Sequence, residues 1–230
     1  MEAVILAGGL GTRLKSLVDN VPKPMAPICG RPFLEILLGH LARHQVTRAI
    51  ISVGHLAEVV IDHFGDRFLG IELAYVLEDT PLGTGGALAK ALPYCLADHA
   101  FVLNGDTFLD LDLGEVERLW REQSQPVIVL RQVPDTARYG RVEVNSGRVT
   151  QFGEKSLSGP GKINAGCYLV PTDLLAQHTA DKPFSFEADF LADAVQVRDF
   201  AAFASNGLFI DIGIPEDFHR AQTILRPYLL

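Results

Sequence analysis

The chain has 230 residues, 48% of them hydrophobic, and a formal net charge of −8. That length and apolar content fit one large α/β domain with a sizeable core, and no low-complexity tract suggests a disordered arm. The acidic balance argues against nucleic acid or an anionic membrane as a partner, though not against a nucleotide, which needs only local cations and a metal. Along the chain, residues 3–7 read as a buried strand, and Phe33, Leu34, Leu37, Leu38 and Leu41 fall at helical spacing within a helix near 32–44. Strand 49–53, helix 56–64, strand 71–77, helix 85–92 and strand 101–103 follow, the alternation of βαβ units around a parallel sheet.

The second half changes character. Residues 126–133 read as a strand, 141–152 as a hairpin around Asn145-Ser146-Gly147, and 163–170 as a further strand. Helices are expected near 172–178 and 186–195, then short strands at 200–204 and 207–211, and a closing helix from Pro215, a residue suited to a first helical turn. The expected fold is α/β, a Rossmann-like mixed, mostly parallel sheet flanked by helices. Residues 1–230 are expected to form one domain, with a first lobe over about 1–110 and a second over about 111–230. Cys29, Cys95 and Cys167 lie far apart without metal-ligand spacing and read as reduced thiols. The start has no basic leader pattern and no apolar run reaches the roughly 18 residues of a membrane span, so a soluble cytoplasmic protein is expected.

Open α/β sheets bind ligands at the carboxyl ends of their strands, and three motifs sit there. The first is Leu6-Ala7-Gly8-Gly9-Leu10-Gly11-Thr12-Arg13-Leu14, followed by Pro22-Lys23-Pro24. A strand that breaks into glycines delivers free backbone N–H groups to a phosphate, Arg13 adds a fork and Lys23 a point charge. A P-loop is excluded because Gly11 is followed by Thr12-Arg13, and the dinucleotide fingerprint because Leu14 stands where Gly or Ala is required. The glycines alone fit a solvated turn equally well. The second motif is Leu82-Gly83-Thr84-Gly85-Gly86, and the third Asn104-Gly105-Asp106. Asp106 alone reads as a turn aspartate, but Asp211 lies between apolar residues, where an unpaired carboxylate is costly.

The glycine loop with its proline-flanked lysine resembles the sugar nucleotidyltransferases, the NDP-sugar pyrophosphorylases, whose loop reads GGxGTRL. The resemblance runs nearly end to end and implies the nucleotide-diphospho-sugar transferase fold. It also implies transfer of a nucleoside monophosphate from a nucleoside triphosphate to a sugar 1-phosphate. It implies catalytic roles for Arg13, Lys23, Asp106 and Asp211, the two aspartates holding Mg²⁺. Leu6, Ala7, Gly8, Gly9, Gly11, Thr12, Arg13, Glu78, Gly83 and Thr84 would contact the nucleotide. Lys23, Asn104, Tyr139, Gly140, Glu154, Lys155 and Asn164 would contact the sugar phosphate. A lone Glu-Lys pair is more often an exposed ion pair; the resemblance gives Glu154-Lys155 its role.

Glu78 ends a strand in the region where the family reads the base. A carboxylate only accepts, which suits the adjacent N1–H and N2–H₂ donors of guanine and repels adenine N1; uracil and thymine would satisfy it in part. The alternative is an exposed turn glutamate beside Asp79. Leu82-Gly83-Thr84-Gly85-Gly86-Ala87, Asn104-Gly105-Asp106-Thr107-Phe108 and Phe184-Ser185-Phe186-Glu187 resemble the heptose 1-phosphate guanylyltransferase branch of the family. Mannose 1-phosphate guanylylation, N-acetylmuramate 1-phosphate uridylylation and a catalytically silent nucleotide-sugar sensor stay as alternatives. No β-helical extension is expected after the closing helix, and a homodimer is possible.

Overall fold

The computed structural model describes residues 1–9, 18, 21–153, 158–179 and 182–229. In chain order the first half comprises β1 (Glu2–Leu6), the small hairpin β2 (Pro27–Ile28) and β3 (Arg31–Pro32), α1 (Phe33–Arg43) and β4 (Arg48–Val53). Next come α2 (Ala57–Phe64), β5 (Arg67–Phe68), β6 (Ile71–Leu77), α3 (Gly83–Ala91), β7 (His99–Asn104), β8 (Thr107–Leu109) and α4 (Leu113–Gln123). The second half holds β9 (Val127–Val133), β10 (Val142–Asn145), β11 (Arg148–Phe152), β12 (Gly161–Pro171), α5 (Ala192–Val197), β13 (Ala201–Ser205), β14 (Phe209–Asp211) and α6 (Pro215–Ile224).

Ten strands form one sheet in the order β10-β11-β13-β9-β12-β7-β1-β4-β6-β5. Strands β5, β11 and β12 run against the other seven, so the sheet is mixed and mostly parallel, as expected. The long β12 lies antiparallel between β7 and β9 and stitches the two halves of the chain into one sheet.

Because helices cover both faces, the central strands are apolar on both sides. Ala3 and Ile5 of β1, Ala49 and Ile51 of β4, and Phe101 and Leu103 of β7 pack with Leu34, Leu37 and Leu41 of α1, Val60 of α2 and Val116 of α4. The alternate residues Val4, Ile50 and Val102 pack on the other face with Leu88 and Ala91 of α3, Phe186, Leu191 and Val195. A third cluster joins Phe33 and Ile36 of α1 to Phe108 of β8, Ile210 of β14 and Phe218 of α6. It seats the β8–β14 ribbon, and with it Asp211, beside the end of β7.

The helices differ from expectation at three places. Residues 172–178 form successive turns rather than a helix. Leu174, Ala176 and His178 donate to carbonyls three residues back, at Pro171, Asp173 and Leu175, while Thr172 N–H is drawn off to Asp98 O. The segment at 186–195 opens as a π-helical turn, Phe186–Leu191, before α5 begins. Helix α4 was not expected at all; its sequence signal is Asp112, whose carboxylate accepts from Gly114 and Glu115 N–H, with Glu115 at the capping-box position. Among the described residues no helix is long and apolar enough to cross a membrane.

Candidate active site

A cleft of about 450 Å³ opens at the carboxyl ends of β1, β6 and β7. Leu6, Ala7, Gly8, Gly9, Lys23, Glu78, Gly83, Thr84, Asn104 and Asp106, all named from the sequence, line it together with Pro24, Pro81, Ala87 and Gly105. Its floor is drawn tight by the backbone: Ala7 N–H donates to Ser52 O at 2.9 Å and Gly105 N–H to Leu6 O at 2.9 Å.

One wall carries Glu78. Its Oε1 accepts from the buried Ser52 hydroxyl at 2.9 Å, and its Oε2 from Leu82 N–H at 3.2 Å. A side chain on Gly8 would overlap the Glu78 carboxyl, lying 2.6 Å from its Cδ. Glycine is therefore required where the first strand ends so that the carboxylate can lie against it. Next to Glu78, Gly83 opens α3 at φ +68°, where a Cβ would also strike the backbone of Phe184. The segment from Phe184 closes over this turn, with Gly85 N–H donating to Phe184 O at 2.9 Å and Phe184 N–H to Leu82 O at 3.0 Å.

The opposite wall carries charge. Pro22 and Pro24 frame a short 3-10 turn that presents Lys23. Its ammonium pairs with Asp106 and stands 3.9 Å from Asp211 Oδ1. The two aspartates are brought together by backbone pairing: Asp211 faces Thr107 across β8 and β14, and Ile212 N–H donates to Asp106 O at 3.0 Å. Asp211 Oδ1 accepts from Gly213 N–H at 2.7 Å, while Oδ2 accepts from Arg138 at 2.8 Å; Arg138 also pairs with Asp217. Burial, and then the negative charge of Asp106, push the Asp211 carboxyl above the usual carboxylate range, against the pull of Lys23 and Arg138. Two hard carboxylates sharing one crevice, one of them disfavoured as an anion, match the donor set and charge deficit that Mg²⁺ would relieve.

Tyr139 stacks beneath the Arg138 guanidinium at 4.9 Å and packs edge-on to Phe209, and Gly140 follows at φ +85°. Asn164 donates through Nδ2 to Tyr168 OH at 2.6 Å and accepts from Gly166 N–H at 3.1 Å. Asn104 projects Oδ1 from a buried position with no partner among the described residues. Gly11, Thr12, Arg13, Glu154 and Lys155 lie outside the described residues. Ser52, Arg138 and Asp217 were missed. Each is joined to its partner across a long sequence separation, and only the arginine beside Tyr139-Gly140 left a trace in the sequence.

The chain matches the nucleotidyl transferase family over residues 2–226. It is 39% identical over 230 residues to a D-glycero-alpha-D-manno-heptose 1-phosphate guanylyltransferase of Aneurinibacillus thermoaerophilus, covering 100% of both chains. It is 41% identical to the Campylobacter jejuni protein of the same name, covering 95% of this chain and 97% of that one. Among solved structures, HddC from Yersinia pseudotuberculosis complexed with GMP-PN superposes with a TM-score of 0.85 at 39% identity, covering 96% of this chain and 97% of that one. Family match, full-length relatives and shared fold agree with the cleft just described: the chain belongs to the nucleotidyl transferase family.

Proposed function

We propose that this chain transfers GMP from GTP to D-glycero-α-D-manno-heptose 1-phosphate, forming GDP-heptose and releasing pyrophosphate. The full-length likeness to named heptose 1-phosphate guanylyltransferases supports the substrate pair. The observation that carries the chemistry is the placement of Lys23 between Asp106 and Asp211 at the rim of a glycine-walled cleft.

In this reading a phosphate oxygen of the sugar 1-phosphate attacks the α-phosphorus of GTP, and the bond to the β-phosphate oxygen breaks in line. Such transfer needs positioning and charge neutralisation more than covalent help. Lys23 bridges the attacking phosphate and the α-phosphate. Backbone N–H groups at Gly8 and Gly9, with Gly11, Thr12 and the Arg13 fork, hold the triphosphate and the departing pyrophosphate. Glu78, already oriented by Ser52 and Leu82, accepts from the Watson–Crick edge of guanine. Asp106 and Asp211 would hold Mg²⁺, which when bound would supply charge screening at the phosphates. Asn104, Tyr139, Gly140, Glu154, Lys155 and Asn164 form the sugar-phosphate side. The two functions divide along the chain near residue 110, in one cytoplasmic domain that acts on small molecules, without nucleic acid or membrane, as a possible homodimer.

The test is pyrophosphate release from four nucleoside triphosphates against a panel of sugar 1-phosphates, with and without Mg²⁺. GTP with the heptose 1-phosphate should give the highest kcat/KM, and only with the metal. A maximum at mannose 1-phosphate or with UTP would reassign the substrate, and nucleotide binding without turnover under any pairing would overturn the enzymatic reading.

A further inference from the structure

The motif Phe184-Ser185-Phe186-Glu187 touches neither phosphate in the scheme above, yet its glutamate is engaged at both oxygens. Glu187 Oε1 accepts from Tyr168 OH at 2.9 Å, and Oε2 accepts from Thr84 Oγ1 at 3.2 Å. Beyond Tyr168, the phenol oxygen accepts from Asn164 Nδ2 at 2.6 Å, and Asn164 Oδ1 accepts from Gly166 N–H at 3.1 Å. Beyond Thr84, the hydroxyl oxygen accepts from Phe186 N–H at 2.9 Å. The direction of every bond follows. An amide N–H₂ can only donate, so the phenol that receives it gives its own proton to Glu187; Thr84, receiving from a backbone N–H, likewise gives its proton to Glu187. Tyr168 is 1% exposed, and burial followed by the Glu187 charge drives its hydroxyl well above the usual tyrosine range, so it stays a donor. The glutamate lies in the first turn of the π-helical segment Phe186–Leu191, a geometry found mostly as single turns at functional positions.

We propose that Glu187 is a positioning residue that ties the nucleotide turn at Gly83-Thr84 to the sugar-side strand at Asn164, so that the two substrates are bound cooperatively. The proposal rests on the two-substrate reading above. It also assigns Thr84: its hydroxyl proton and one lone pair are spent on Glu187 and Phe186, so the residue serves the cleft by fixing the turn rather than by donating to a nucleotide.

Glu187→Gln preserves shape but replaces one acceptor oxygen with an amide that must donate. It should raise KM for GTP and for the sugar 1-phosphate about tenfold each, the size of one coupled bond in a network, with kcat nearly unchanged. Tyr168→Phe cuts the sugar-side arm alone, so in that background Glu187→Gln should still raise the GTP KM and no longer move the sugar 1-phosphate KM. Thr84→Ser keeps the hydroxyl that donates to Glu187 and should raise the GTP KM less than Thr84→Val, which removes it. Equal shifts of both KM values in both backgrounds would mean general loosening and overturn the coupling, as would an unchanged Glu187→Gln enzyme. If Glu187→Gln does not fold, Tyr168→Phe and Thr84→Val each cut one arm of the same link, so in both the GTP KM should stop depending on the sugar 1-phosphate concentration; a dependence kept in both overturns the coupling. A wild-type protein that turns over no sugar 1-phosphate would refute the underlying reading instead, before any variant is compared.

Discussion

Substituting Gly8 by alanine separates the base-side contact from the phosphate loop. A Cβ there overlaps the Glu78 carboxyl, which is held by the Ser52 hydroxyl at 2.9 Å and Leu82 N–H at 3.2 Å. The carboxylate is the far end of a flexible side chain, so it is displaced while strand β1 stays in place. At least one hydrogen bond to a charged group is lost, worth about 1.5–3 kcal/mol. Alanine recovers about 0.4–1 kcal/mol by restricting the unfolded chain. The net loss is about 0.5–2.6 kcal/mol, or roughly 1–10 °C in Tm for a chain of this size. Selectivity changes more than stability. With Glu78 pushed off the guanine edge, the kcat/KM ratio of GTP over UTP should fall at least about tenfold from the large preference a matched polar pair supports. Calorimetry and pyrophosphate release with all four nucleotides read both effects. An unchanged GTP preference in a variant with lowered Tm would refute the assignment of Glu78, and an unchanged Tm would refute the packing argument.

Other perturbations probe the remaining parts. Asp106→Asn and Asp211→Asn should each lower Mg²⁺-dependent turnover by about 10²–10³ while far-UV circular dichroism stays native; near-normal turnover removes that residue from the metal site. Among the described residues nothing lies within 4 Å of where a Gly9 Cβ would be, so Gly9→Ala should hold or raise Tm yet weaken GTP binding measured by calorimetric titration. His40 is buried, and burial first, then the His44 charge, lower its pKa from 6.5 to about 4. The unfolded chain therefore takes up this proton before the folded one. The stability present above pH 6.5 is lost as pH falls toward 4, by about 3 kcal/mol if His40 acts alone. His40→Gln should flatten that acid limb in denaturant titrations.

What the sequence discloses follows from range. The strands of the parallel half are short apolar runs bounded by turn residues, and the glycines and Asp106 fall at their ends. Helix α4 escaped because its mean character is polar, with only Leu113 and Val116 fully buried; its capping aspartate was the readable sign. The turns at 172–178 escaped for the opposite reason. Their leucines, Leu174 and Leu175, are buried as a helix would bury them, but Thr172 bonds to Asp98 and breaks the ladder before it starts. Side chains that act on other side chains were least legible. Ser52 is 26 residues from Glu78, and Arg138 is 73 from Asp211 and 79 from Asp217. Nothing in local spacing links those partners until the sheet is assembled.

The glycine loop shows how one residue type serves two ends. From the sequence, Gly8 and Gly9 have the same explanation, backbone exposed to a phosphate. In the folded chain they differ. Gly8 is fixed by the protein itself, because Glu78 occupies the space a side chain would need. Among the described residues Gly9 has no neighbour where its Cβ would lie, and it borders the cleft, which fits a backbone left bare for a ligand. The same close packing recurs at Gly105, whose Cβ would lie 2.8 Å from Leu6 O. It draws the end of β7 against the end of β1, and so sets Asp106 opposite the nucleotide wall. The glycines thus shape the cleft from inside the protein before any phosphate enters it, and the carboxylates on its two walls are placed by that packing.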